Sequence, residues 1–366
     1  GTFLTRSGVV NSVHSFTQSP IGPLFLVFLG AALIASIALL ALRIDTLVSE
    51  PGEDSIIARE GAFLFNNLLL VAVMFTVLVG TLFPIIAEAV RGVKVSVGEP
   101  YFNRMAVPVF LALLLLMGIG PALPWGRATA DKLKRALLWP LPAALVATGI
   151  AFALGARSWS VLLTSFLGGY ALWVTFDQGL RPARVRAAKG EPIAKALKVS
   201  VLRSPRRLGG YIVHLGVIMT AIAIAVSSNY QSSHEATLGV GQTMSAGQYE
   251  LRVDDVSLER KPHLVAQQAS IGVEQGGRAL GSLVPALNHY PTMREPMGTP
   301  AVRTGMTHDL YLLLMNVGQD GTIGLKAIIT PAVIWSWIGV LVMTVGTVLC
   351  VIPPSRRRER PQEATA

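Results

Sequence analysis

Apolar residues in this sequence come in runs too long for the core of a soluble domain. Seven stretches, approximately 21 to 42, 62 to 89, 105 to 123, 138 to 155, 159 to 178, 209 to 228 and 328 to 352, can each cross a membrane. A hydrocarbon layer roughly 30 Å thick needs about 18 to 20 such residues, since a helix rises about 1.5 Å per residue. Between the sixth and seventh runs the pattern changes. Residues 229 to 327 carry short runs such as "YELRVDDVSL", "ASIGVEQ" and "LYLLLMNV", broken by "GQ", "QGG" and "GQDG". Short apolar runs bounded by glycine turns predict strands, and about a hundred residues suffice for a small domain. The expected fold class is an α-helical polytopic membrane protein of about seven transmembrane helices with a small β-rich extracytoplasmic domain. Its parts are a bundle of six spans over 1–228, the outer domain over 229–327, a last transmembrane helix over 328–352 and a cytoplasmic basic tail, expected to be disordered, over 353–366. No internal repeat is visible.

Charge orients these spans. If residues 1 to 20 lie outside, the inner segments 43 to 61, 124 to 137, 179 to 208 and 353 to 366 hold two, four, nine and four Lys plus Arg. The short outer segments 1 to 20, 90 to 104 and 156 to 158 hold one, three and one. Lysine and arginine accumulate in cytoplasmic loops, so the 229–327 domain is expected on the outer, periplasmic side of a bacterial inner membrane. The net charge of +10 is therefore a matter of topology and predicts membrane lipid, not nucleic acid, as its partner. Charged residues make up 14% of the chain, against roughly 25% in soluble domains. Cys350 is the one cysteine. With no partner thiol and no CxxC pair, the chain cannot do dithiol chemistry by itself. No secretory signal is legible at the start.

Of the six histidines, His214 alone falls inside an expected span, in "GGYIVHLGVIMTAIAIAVSS". An ionisable side chain at membrane depth is costly and marks either a site or an imidazole bonded to a neighbouring helix. Gly209, Gly210 and Gly216 beside it permit the close approach of a large flat group or of another helix. If a cofactor is held there, haem is the natural candidate, because imidazole suits iron. His14 sits in the outer juxtamembrane segment, where imidazole is both useful and tolerated. His234, His263, His289 and His308 lack metal-ligand spacing and read as ordinary residues of the outer domain. Asn66 and Asn67 are expected to hydrogen-bond between helices, and Arg59 with Glu60 to form a simple ion pair at the inner mouth of the second span. Trp125, Trp139, Trp335 and Trp337 fall near span ends, as in an aromatic belt. There is no P-loop, GxSxG or HExxH, so any activity must use a bound cofactor or a partner. A membrane scaffold or transporter, with His214 as a proton-relay or packing residue, is the competing reading.

Seven stretches carry a family resemblance: "GTFLTRSGVVNSVHSF", "AREGAFLFNNLLL", "VSVGEPYFNR", "SPRRLGGYIVHLGV", "GQTMSAGQYEL", "RTGMTHDLYLLL" and "ITPAVIWSWIGVLVM". Together, over nearly the whole chain and in the family's order, they resemble the C-terminal half of the CcmF family, haem lyases of bacterial cytochrome c maturation within the CcmF/NrfE/CcsA haem-handling group. The resemblance implies that His14 is one of two outer-face histidines flanking the haem to be transferred, a cofactor-binding and catalytic role. It implies that His214 is one of two axial ligands to the iron of a membrane-embedded haem b. The implied reaction adds the two thiols of an apocytochrome c CxxCH motif across the haem vinyl groups. The implied partners are the haem chaperone CcmE, an apocytochrome-presenting CcmH-type subunit and apocytochrome c. The family's tryptophan-rich segment and the second histidine of each pair belong to its first half, which these residues do not include. The expectation is thus a fragment or truncated reading frame completed by an N-terminal half of CcmF, or the product of a split gene.

Overall fold

A computed structural model describes residues 21–47, 58–93, 95–126, 129–291, 295–318 and 320–353. His14 and the basic tail from residue 354 onward lie outside the described residues. The chain divides into two compact units, residues 1–136 and 137–366.

In the first unit, α1 (Ile21–Leu47), α2 (Arg59–Arg91) and α3 (Glu99–Ala122) are each long and apolar enough to cross a membrane. The α2–α3 contact is made close by a glycine. A methyl group on Gly80 would lie 2.7 Å from the Tyr101 ring, and the Tyr101 hydroxyl donates to the Thr76 carbonyl at 3.2 Å. The start of α2 is fixed by the chain after α3. Arg59 N–H donates to the Pro124 carbonyl at 3.1 Å, and the Glu60 carboxylate accepts from Gly126 N–H at 3.1 Å. The Arg59 guanidinium lies over the Trp125 ring, 5.1 Å from its centroid. The expected Arg59–Glu60 ion pair is therefore corrected, since each charge has a different partner. Trp125 is a stacking platform as well as a residue near a span end. Asn66 is half-buried and Asn67 exposed, and neither hydrogen-bonds to a described residue.

A short helix, α4 (Ala130–Leu138), leads to the second unit, which holds α5 (Leu141–Ala153), α6 (Trp159–Ala187), α7 (Ile193–Arg203) and α8 (Pro205–Tyr230). The fourth expected span, 138 to 155, is thus α5, and the turn at Trp139 and Pro140 separates it from α4, a helix within the expected inner segment 124 to 137. Proline cannot donate the backbone bond that would carry the helix through. Small residues set the packing of α5 on α6: a methyl on Gly169 would sit 2.5 Å from the Ala147 Cβ. At the far end of α8, the Tyr230 hydroxyl accepts from the N–H groups of Arg157 and Ser158 at 2.7 and 3.0 Å, closing the loop before α6. The basic loop after α6 is itself largely helical. In α7, Lys195, Lys198 and Arg203 alternate with apolar residues, the amphipathic pattern of a helix lying at a membrane interface.

The chain then enters two antiparallel sheets packed face to face. Strands β1 (Ser232–Leu238), β2 (Thr243–Ala246), β3 (Tyr249–Lys261), β4 (Leu264–Gln275), β5 (Arg278–Leu283), β6 (Ala286–His289), β7 (Met297–Thr299), β8 (Ala301–Arg303), β9 (His308–Val317) and β10 (Ile323–Pro331) follow in order. One sheet runs β1-β10-β9-β8 and the other β2-β3-β4-β6-β7, with β5 also on β4. Leu251, Val253 and Ile271 of one sheet meet Leu310, Leu312 and Leu325 of the other, all fully buried. Period-two alternation supplies this core: along β10, residues from Ile323 to Ile329 are buried at every second position. Gly276 and Gly277 have φ of 57° and 77°, which suits the two-residue hairpin between β4 and β5.

The sandwich is inserted between two helices. Helix α8 ends at Tyr230 and β1 starts at Ser232, while β10 ends at Pro331 and α9 (Val333–Val351) follows. The pairing of β1 with β10, Ser232 opposite Ile329, continues below as the packing of α8 on α9. The last span therefore begins later than expected, because residues 328 to 331 belong to a strand. Hydropathy cannot separate a buried strand from a helix in the run "KAIITPAVIW". The turn is made at Ala332, which has φ of 61° and donates its N–H to the Thr307 carbonyl at 2.9 Å.

Candidate functional site

Helix α8 has two seams. On one, it meets α9 through four glycines spaced by seven residues. A methyl on Gly209 would lie 2.5 Å from the Gly346 carbonyl oxygen, and one on Gly216 would lie 2.5 Å from that of Gly339. Spacing by seven places each pair on one helix face, so the backbones touch over two full turns. Cys350 belongs to this seam, its thiol donating to the Arg206 carbonyl at 3.4 Å. Two of the three glycines around His214 thus serve helix packing.

The second seam is with α6, which runs antiparallel to α8. Gly168 of α6 meets Ile218 and Ile222, and Gly179 meets the Tyr211 ring, with 3.6 Å between that ring and a methyl placed on the glycine. His214 lies one helical turn beyond Tyr211, and the two rings meet edge-on with centroids 6.1 Å apart. The imidazole is half-buried and makes no hydrogen bond to a described residue, and its Nδ1 is enclosed without a partner. Gly210, four residues before His214, has nothing within 4 Å of the place a side chain would take, and Val217, three residues after it, is 36% exposed. The stripe Gly210, His214, Val217 is therefore an open face of α8, with an unbonded imidazole at its centre.

One buried polar group of α6 carries no signal in the sequence. Thr175 of α6 is 5% exposed, and its hydroxyl has no partner.

The other histidines are placed elsewhere. His263 and His289 are exposed, and His289 bonds to Gln267 Oε1 at 3.0 Å. His234 is half-buried on β1. His308 opens β9 with its Nδ1 enclosed and unpartnered, one residue from the buried Asp309, whose carboxylate accepts from Gly305 N–H at 3.2 Å. No group of three or more His, Cys, Asp or Glu able to hold a metal ion occurs among the described residues. Of the two sequence-nominated site residues, His214 stands on the open face of α8 and His14 falls outside the described residues.

Comparison with known proteins covers both the helices and the sandwich. Residues 229–331 match the family model of the CcmF C-terminal beta-sandwich. Over 358 residues the chain is 31% identical to the cytochrome c-type biogenesis protein CcmF of Pseudomonas aeruginosa, which spans 96% of this chain and 52% of that protein. It is 31% identical over 370 residues to the CcmF of Escherichia coli, with 99% and 54% covered. The solved structure of a cytochrome c haem lyase CcmF superposes with a TM-score of 0.72 at 25% identity, covering 93% of this chain and 52% of that one. The chain spans about half the length of the curated relatives it matches. Since the likeness runs through the membrane helices as well as through the sandwich, the chain is similar along nearly its whole length to the C-terminal half of the CcmF cytochrome c-type biogenesis proteins.

Proposed function

We propose that this chain is part of a cytochrome c haem lyase, contributing His214 as one axial ligand of a membrane-embedded haem b and His14 to the haem held on the outer face for transfer. The observation that supports this most is the state of His214: a half-buried imidazole at membrane depth, beside an open helix face, with no hydrogen bond to a described residue. An axial position needs such a free ring nitrogen, and the open flank at Gly210 suits a large flat group, so the residues present fit haem. Bound there, haem would supply one-electron redox chemistry.

The chain's own part is to hold the imidazole in place. Helices α6 and α9 clamp α8 from two sides and fix the depth of His214. No other histidine lies in the described membrane helices, so a second imidazole for the haem would come from an N-terminal half of CcmF. The thiols come from outside as well. Cys350 is engaged in the α8–α9 seam, and the sulfurs that enter the thioether bonds belong to the CxxCH motif of apocytochrome c. In this reading CcmE delivers haem, a CcmH-type subunit presents the apocytochrome, and the sandwich stands on the periplasmic side of the inner membrane, a placement that the distribution of basic residues supports.

The test uses this chain co-produced with a CcmF N-terminal half. The purified, reduced complex should show the sharp visible bands of a bis-histidine b-haem, and His214→Ala should abolish them or leave a five-coordinate spectrum. An unchanged spectrum in the variant overturns the assignment.

A further inference from the structure

The hydroxyl of Thr175 is an exception within its own class. The described helices contain eight other threonines, and each bonds a backbone carbonyl. Thr76, Thr81, Thr148, Thr164, Thr344 and Thr347 donate to the carbonyl four residues earlier, at 2.6 to 2.9 Å. Thr46 donates three residues back, and Thr220 reaches the Ser336 carbonyl of α9. This local bond is the ordinary fate of a threonine hydroxyl in a helix, and it is cheap to make. Thr175 makes none, although it is 5% exposed and an enclosed hydroxyl without a partner is costly.

Its place on α6 points to the reason. Thr175 is seven residues from Gly168 and four from Gly179, so the three share one face, and both glycines touch α8. Start from the contact between Gly179 and Tyr211. Because the helices are antiparallel, one turn towards Gly168 along α6 and one turn towards Ile218 along α8 rise to the same level. The first step reaches Thr175, the second His214. Each carries an enclosed polar atom without a partner, Oγ1 on one helix and Nδ1 on the other. Two such atoms at one level of one seam have each other as the nearest chemical solution.

We infer that Thr175 is a positioning residue for His214: its hydroxyl accepts the Nδ1–H hydrogen bond, directly after a rotation about χ1 or through one water. The bond fixes the tautomer with the proton on Nδ1 and leaves the Nε2 lone pair free. Histidines that ligate metals almost always donate their other ring N–H to an oxygen, which orients the ring and raises its basicity. The value of this arrangement for haem rests on the proposed role of His214, whereas the tautomer does not depend on haem.

The experiment therefore has two arms. In the first, the haem-free chain labelled with ¹⁵N-histidine is studied at pH 8 by NMR, with His214→Gln identifying the resonances of residue 214. The wild type and Thr175→Ser should hold the proton on Nδ1. Thr175→Val, nearly isosteric, and Thr175→Ala should lose that signal in favour of the Nε2–H form. An Nδ1–H signal unchanged in both apolar variants overturns the inference. In the second arm the haem-loaded complex is titrated. Thr175→Val should raise the haem midpoint potential, because a less basic imidazole stabilises ferric iron less, and Thr175→Ser should restore it. A tautomer that changes while the potential stays fixed would uphold the role of Thr175 and remove His214 from the iron.

Discussion

Ala332 carries a backbone conformation that alanine avoids. Its φ of 61° is the one positive value at a described non-glycine residue, and the left-handed region costs an L-residue about 1–2 kcal/mol. The cost persists because the position must turn strand β10 into helix α9 within a single residue while its N–H satisfies the Thr307 carbonyl. Ala332→Gly relieves the strain and keeps the N–H, but frees the unfolded chain. It should therefore stabilise the sandwich-to-helix junction by a net amount below about 1 kcal/mol. Ala332→Val should destabilise it by more than that. Denaturant melts of the purified chain, followed by Trp335 fluorescence, give both signs. Trp335 is a local reporter because its indole N–H donates to the Met306 carbonyl at 3.0 Å. A strained residue of this kind is invisible in sequence, since alanine is at home in strand, helix and turn alike.

At the scale of elements, glycine placement decides what touches what. The sequence around His214 offers three glycines in eight residues, and hydropathy ranks them alike. In the folded chain Gly209 and Gly216 are pressed against the α9 backbone, whereas Gly210 stands open on the face of His214. Gly216→Ala forces a methyl to 2.5 Å from the Gly339 carbonyl oxygen, and should destabilise the helix pair by about 1–3 kcal/mol, the range for overpacking. Gly210→Ala should be neutral, or stabilising by up to about 1 kcal/mol through helix propensity. Unfolding of each variant in mixed micelles separates the two, and equal losses would refute the division of roles. The periodicity legible in the sequence showed that a helix exists here and that its histidine lies at membrane depth. Which glycine faced a helix and which faced the site depended on the position of α9, more than a hundred residues away in the chain. Thr175 was hidden for the same reason: only the approach of α6 to α8 sets it level with His214.

At the scale of the whole molecule, the insertion of the sandwich between α8 and α9 ties its side of the membrane to the direction of both helices. Orientation follows from where Lys and Arg collect, nine of them between residues 179 and 208. With Cys350 replaced by serine, an impermeant thiol reagent applied to intact cells should label Ser233→Cys and leave Ser204→Cys unmodified. Both positions are exposed, so access is set by side alone. The reverse pattern would invert the topology and carry the sandwich to the cytoplasm.

Length and composition of the apolar runs determined by themselves that the chain spans a membrane. The cost of an unbonded backbone in hydrocarbon leaves helix as the form such a run can take. Alternation with glycine turns likewise marked the β-rich insert, because its core lies on one face of each sheet. The sequence also singled out His214, the one histidine in a long apolar run. Only the tertiary structure decided where β10 yields to α9, that Arg59 meets Trp125 and Glu60 meets Gly126, and that Thr175 shares the level of His214. Each of these depends on distances between segments remote in the chain, and such distances follow from how helices and sheets close upon one another, which no local pattern encodes.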